Sequence, residues 1–119
     1  MGLFGDVFKK KDSASNLNPK AEHCVVINFN YGLDNLEPLH KLENRLDSTL
    51  QSSGHGECDG HEIATDMSHG IIYLYGSNAE TVFKTVKPIL EDCEFMRNAR
   101  VTLRFGPPED GVTELELTL

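Results

Sequence analysis

Residues 23–31 read HCVVINFNY, and this stretch sets the pattern from which the rest of the fold can be worked out. Val25, Ile27 and Phe29 alternate with Val26 and two asparagines. Because successive side chains of a strand point to opposite faces, this alternation predicts a strand with one apolar face and one wetter face.

The next part of the chain, residues 34–54, carries a helical pattern. Asp34 and Glu37 have the spacing of a capping box, and Gly54 is suited to end the helix. His40 lies beside the apolar stripe and is interpreted as a boundary residue between core and solvent. The stripe is made of leucines that recur every three or four positions: Leu36, Leu39, Leu42, Leu46 and Leu50.

The second half of the chain repeats the alternation of strand and helix. HEIATDM and GIIYLYG lie on either side of MSHG and predict a hairpin. The following helix has Ser77 and Glu80 in capping-box spacing, and Pro88 is expected to kink or shorten it. Finally, ARVTLRFGPPEDGVTELELTL predicts two strands joined by a turn at GPPEDG.

This order of elements predicts an α+β fold. Strand, helix, strand, strand, helix and strand, with one extra carboxyl-terminal strand, resembles a ferredoxin-like two-layer sandwich, in which two helices cover one face of an antiparallel sheet. We expect this domain at residues 23–119, preceded by an amphipathic segment and flexible linker at residues 1–22. The segments DGHE, YLYGSNAETVF and VTLRFGPPEDGV also resemble small bacterial proteins of unassigned function, which implies no catalytic residue.

Charge and cysteine content narrow the classes of function. The net charge is −8, and the first 20 residues hold four lysines against two aspartates, so the remainder carries −10. A domain this acidic repels a phosphate backbone, so nucleic-acid binding is not expected. HGIIYLYG matches the signature of RNA-recognition modules only in part, because His69 and Gly76 stand where a basic and an aromatic residue belong.

Three widely spaced cysteines fit a reducing cytoplasm rather than a disulfide framework.

The amino-terminal stretch combines a short apolar segment with three lysines. The chain has no apolar run long enough to span a membrane, and the order of charges in MGLFGDVFKKKD is not that of a secretory signal. Residues 1–11 could form a short helix whose apolar face contacts a membrane surface or a partner. Alternatively, they form a frayed terminus or a helix that packs on its own domain, and this interpretation is preferred because so short a helix is marginal in water.

Alternation also assigns the side chains of the sheet to its two faces. The apolar set is expected beneath the helices: Val25, Ile27, Phe29, Ile72, Leu74, Val101, Leu103, Phe105, Leu115 and Leu117. The opposite, open side is expected to hold Asn28, Asn30, Tyr73, Tyr75, Thr102, Arg104, Glu114 and Glu116. Tyrosines beside an arginine suit recognition of a partner. Alternatively, the tyrosines fill a half-exposed strand and Arg104 pairs with Glu116 across the hairpin.

Residues 54–62, GHGECDGHE, are the strongest chemical signal in the chain. A metal site would use His55, Cys58 and His61, but no second cluster of ligands is evident in the sequence. A catalytic site would use Cys58 as nucleophile and a histidine as base, although no other enzyme motif supports it. The simplest interpretation is a solvated turn between helix and strand, in which glycines supply positive-φ positions.

These observations favour a small, cytoplasmic, non-catalytic module that binds a protein partner or itself, without a cofactor. The binding surface is expected on the open side of the sheet, at Asn28, Asn30, Tyr73, Tyr75, Arg104 and Glu116. The acidic charge favours a basic partner. The alternative is a metal- or small-ligand-binding protein, or a minor enzyme, centred on the 54–62 loop.

Overall fold

A computed structural model describes residues 22–107 and 111–119 of the chain. The amphipathic segment predicted at residues 1–11 lies outside this part. No helix in the described ranges is both long and apolar enough to cross a membrane. The elements, in order, are β1 His23–Asn30, α1 Glu37–Ser53, β2 Glu57–Ile63, β3 His69–Gly76, α2 Ala79–Glu91, a 3₁₀ turn at Glu94–Met96, β4 Arg100–Arg104 and β5 Glu114–Thr118.

The strands form one antiparallel sheet in the order β2, β3, β1, β4, β5. Strand β1 is therefore central, although it comes first in the chain. Each helix connects strands that are not neighbours, as in two interleaved βαβ units. This arrangement confirms the predicted ferredoxin-like sandwich, and β5 extends the sheet beyond β4 as predicted.

The core lies between the helices and one face of the sheet. On that face Val25, Ile27, Ile72, Leu74 and Val101 are fully buried. Burying a side chain of this size contributes roughly 1.5–3 kcal/mol, so the layer is the main source of stability. The helices bury their apolar sides against it, with Leu39, Leu42, Leu46 and Leu50 from α1 and Val82, Phe83, Val86, Ile89 and Leu90 from α2.

The predicted burial of β5 is wrong at one position. Leu115 is 52% exposed, whereas Leu103, its register partner on β4, is buried. Leu117 and Phe105 are only partly buried against the core. The reason is that β5 is the outermost strand, and a strand at the end of the sheet has a neighbour on one side only.

The helix ends differ in detail from the predicted caps. Gly54 ends α1 in the left-handed region, with φ 75°, as predicted. Leu36, rather than Asp34, occupies the N-cap position of α1. Asn78, rather than Ser77, caps α2 and accepts a hydrogen bond from the backbone N–H of Thr81 at 3.0 Å. Both helices therefore begin one or two residues later than the sequence pattern indicated.

The interpretation of residues 54–62 as a turn is wrong beyond Gly56. Residues Glu57–Ile63 form β2, which pairs with β3. The pairing register shifts between Cys58 and Gly60, and Gly60 has φ 128°. A bulge of this kind allows a glycine and polar residues to stay in an edge strand, because the outer side of such a strand remains in solvent.

Candidate functional site

The sheet face opposite the helices is named the open face, because no described element covers it. Register assigns its residues, since directly paired residues of an antiparallel sheet lie on the same side. The open face comprises Cys24, Val26, Asn28 and Asn30 of β1, Glu57 and Glu62 of β2, Ile71, Tyr73 and Tyr75 of β3, Arg100, Thr102 and Arg104 of β4, and Glu114 and Glu116 of β5. The structure thus brings together all six residues that the sequence assigned to a binding surface.

Residues that are paired across neighbouring strands form rows on the open face, and one such row has Cys24 at its centre. Tyr75 and Arg104 flank it on the neighbouring strands, and Cys24 is only 2% exposed. Burial raises the pKa of Cys24 to about 12, although Arg104 and a hydrogen bond with Tyr75 act in the opposite direction. Burial also raises the pKa of Tyr75. Both groups are therefore neutral at physiological pH, and this row contributes packing and hydrogen bonds rather than a nucleophile.

Arg104 pairs with a different glutamate from the one expected. Its Nε lies 3.4 Å from Oε2 of Glu114, its direct register partner. Glu116 instead lies opposite Thr102. Because paired residues of a hairpin are the closest cross-strand neighbours, the Arg104–Glu114 contact follows from the register, which the sequence did not fix.

The next row places a tyrosine between small or apolar neighbours. Tyr73 lies beside Val26, and the row continues with Thr102 on β4 and Glu116 on the outer strand β5. Tyr73 and Val26 are partly exposed. The desolvation of Tyr73, together with the nearby Glu62 carboxylate, raises its pKa, so its hydroxyl is neutral. This row offers an apolar strip with a hydrogen-bonding tip, which is the form that recognition surfaces take.

Asparagine residues mark the far end of the open face. Asn28 and Asn30 line a shallow pocket of ≈ 280 Å³ together with His69, Asn98 and Arg100. These amide, imidazole and guanidinium groups supply hydrogen-bond donors and acceptors. The sequence missed Asn98 and Arg100 because they lie just before or at the start of β4, at positions without a periodic signal.

A second constellation lies where α1 packs on the edge strand β2. His40, Glu43 and His61 each offer one ligand atom, and these atoms all lie within 4.8 Å of one another. Nδ1 of His61 is 2.8 Å from Oε2 of Glu43, and the rings of His40 and His61 are 5.8 Å apart. His40 is exposed, whereas Glu43 and His61 are partly buried. We name these three residues the seam cluster.

The structure separates the three ligands that the sequence suggested for a metal. His61 joins the seam cluster, but the ring of His55 contacts the hydroxyl of Thr85 at 3.0 Å on the second helix. The backbone N–H of Cys58 donates to Oδ1 of Asp47 at 2.9 Å. Within the described ranges, the seam cluster is the one group of three or more such side chains with metal-ligand geometry.

Cys58 is poorly suited to act as a nucleophile. Burial, and next the charge of Glu43, raise its pKa to about 12. Only a thiolate attacks readily, and at neutral pH this thiol is protonated. The arrangement therefore gives no support to cysteine catalysis at this position.

The ion pair of the seam cluster predicts a pH-dependent stability. The hydrogen bond that His61 donates to the Glu43 carboxylate is the main reason why the pKa of His61 is raised. The resulting stabilisation is fully present below the ordinary histidine pKa of about 6.5 and is lost as pH rises through the raised value. We expect His61→Gln to lower the free energy of unfolding by about 1 kcal/mol more at pH 5.5 than at pH 9.

Urea unfolding of both proteins at the two pH values measures this difference. His55→Gln is the matched control, because it removes a histidine of the same region that lies outside the ion pair. An equal loss for His61→Gln at both pH values would show that the ion pair does not form.

No protein-family model matches the chain. No curated protein and no solved structure matches it significantly. The side chains of the open face and of the seam cluster are therefore the basis for inferring a function.

Proposed function

We propose that this chain is a non-catalytic protein-binding module that uses its open face, and that its partner presents a positively charged surface. The observation that carries the proposal is the arrangement of the open face in rows. Tyr73 and Tyr75 lie on an inner strand, while glutamates occupy the outer strands on both sides. An apolar centre with a charged rim is the usual anatomy of a protein interface.

Charge supports a basic partner over a second copy of the chain. Glu57, Glu62, Glu114 and Glu116 outnumber the two arginines of the open face. Two copies that meet through this face would bring like charges together, which costs free energy. A basic surface gains from the same charges, and complementary potentials also speed encounter.

The free thiols fit the proposed setting. Cys24, Cys58 and Cys93 are unpaired in the described residues. Cysteines in this state are typical of a reducing compartment, so the proposal includes a cytoplasmic location.

The proposal is tested with two substitutions in one row of the open face. We expect Tyr73→Ala to weaken partner binding by roughly 30-fold, because a buried interface tyrosine contributes about 2 kcal/mol. Glu116→Lys should weaken it further by placing a positive charge against a basic partner. The measurement is quantitative affinity purification of cell extract on immobilised protein, followed by titration of the purified partner.

The control is Glu80→Lys, which makes the same charge change on the exposed side of α2, where Glu80 forms an ion pair with Lys84 at 3.2 Å. It should leave partner binding intact. Analytical ultracentrifugation of the chain alone measures self-association. Equal recovery of every bound protein by all three variants, or a dimer that only Tyr73→Ala dissociates, contradicts the proposal.

A further inference from the structure

The distances within the seam cluster fit a bound metal ion. Zinc binds imidazole nitrogen and carboxylate oxygen at about 2.0–2.2 Å, which places two ligand atoms of a tetrahedral ion about 3.3 Å apart. Nδ1 of His61 and Oε2 of Glu43 are 2.8 Å apart, close to this separation. The same two atoms that share a proton can therefore hold an ion between them after a small adjustment.

The third ligand can reach the same point. The ligand atoms of His40, Glu43 and His61 are within 4.8 Å of one another. His40 lies three positions before Glu43 on α1, so both side chains project from the same side of the helix. Because His40 is exposed, its side chain can turn toward the other two ligand atoms without disturbing the core.

The two other ligands are held by well-packed elements. His61 lies on β2 opposite Ile72, a fully buried residue of β3. Asp47, one turn after Glu43, accepts the backbone N–H of Cys58 and so ties α1 to β2 near the cluster. A site whose ligands are positioned before binding loses less conformational entropy when the ion arrives.

The chemistry of the donors selects the class of ion. Two imidazoles and one carboxylate suit Zn²⁺ and similar divalent transition metals, whereas Mg²⁺ and Ca²⁺ prefer all-oxygen sites. Three protein ligands leave at least one coordination position for water. The exposure of His40 means that this position faces solvent.

We propose that His40, Glu43 and His61 bind one divalent transition-metal ion, with Zn²⁺ as the best match, and that water completes its coordination. The site lies at the junction of α1 and β2, on the opposite side of the sheet from the open face. It is therefore independent of the proposed partner surface.

Isothermal titration of metal-free, tag-free full-length chain with zinc sulfate tests the site. We expect one ion per chain. His40→Gln and His61→Gln should each weaken binding by at least about 100-fold, since loss of a mere outer-shell partner already costs roughly 10–100-fold. In the unsubstituted chain, zinc at about 100 times its Kd should raise Tm by roughly 5–10 °C. MgCl₂ should give neither heat nor a shift in Tm.

His55→Gln and Cys58→Ser are the matched controls, because they change the two other residues that the sequence suggested as metal ligands. Both should bind zinc like the unsubstituted chain. His40→Gln changes an exposed side chain, so circular dichroism should show a native fold and a loss of affinity reports on the ion alone. Unchanged affinity in His40→Gln and His61→Gln overturns the proposal, as does binding that disappears in Cys58→Ser, or no heat with zinc in about tenfold molar excess.

Discussion

Gly76→Ala is expected to lower the free energy of unfolding by about 3 kcal/mol and Tm by roughly 10 °C. Gly76 is buried at the end of β3, where the α1–β2 connection passes against it. A Cβ at this position would overlap the carbonyl oxygen of His55 and lie 2.5 Å from Cγ2 of Val82. Neither neighbour can move freely, because one is backbone and the other is fully buried in α2. Thermal unfolding followed by circular dichroism measures the effect.

Gly106→Ala serves as the control for this substitution. Gly106 is also buried, but among the residues that the structure describes its added Cβ would meet only Val112, at 3.6 Å, an ordinary contact distance. We expect a change within about 0.5 kcal/mol. If the two glycines tolerate alanine equally, the close approach of the connection to β3 does not exist in solution.

Leu46→Ala is expected to cost about 3–4 kcal/mol. Leu46 is fully buried at the centre of the α1 stripe, so its removal leaves a cavity between helix and sheet that the surrounding side chains cannot fill. With a total stability of about 5–15 kcal/mol for a domain of this kind, the loss is a large fraction of the whole. Chemical denaturation at neutral pH gives the difference from the midpoint and the slope.

The comparison for Leu46→Ala is Leu33→Ala. Leu33 precedes α1 and is 39% exposed, so alanine removes little buried surface and should cost under about 1 kcal/mol. Similar losses for the two leucines would mean that α1 does not pack through its leucine stripe.

The architecture could be predicted because its signals are local and periodic. The leucines of α1 recur at helical spacing, and Val25, Ile27 and Phe29 alternate with other residues. The pattern of each element therefore indicates which of its sides is buried. The order of elements then leaves few ways to cover both apolar surfaces. The pairing register could not be predicted from the sequence, because it is set by contacts between strands that are far apart in the chain. Register decides that Arg104 meets Glu114 rather than Glu116.

The seam cluster was missed for a related reason. His40 and Glu43 are three residues apart on a helix, a spacing that does signal a shared side, but His61 comes 18 residues after Glu43. The three glycines of residues 54–62 predict a turn rather than a strand. A turn gives no indication that the side chain of His61 lies against α1. An edge strand tolerates such residues because half of its backbone groups are solvated. Amino-acid composition alone therefore predicts a turn where an edge strand forms.

In the described part of the chain, the outermost position of β5 leaves one edge of the sheet without a neighbouring strand. A bare strand edge is a template onto which other chains can add, and from there fibrils can grow. Here that edge strand carries Glu114 and Glu116 and spans only Glu114–Thr118. Adding a further copy along this edge would bring the glutamates of both strands close together, and electrostatic repulsion would then oppose fibril growth from it.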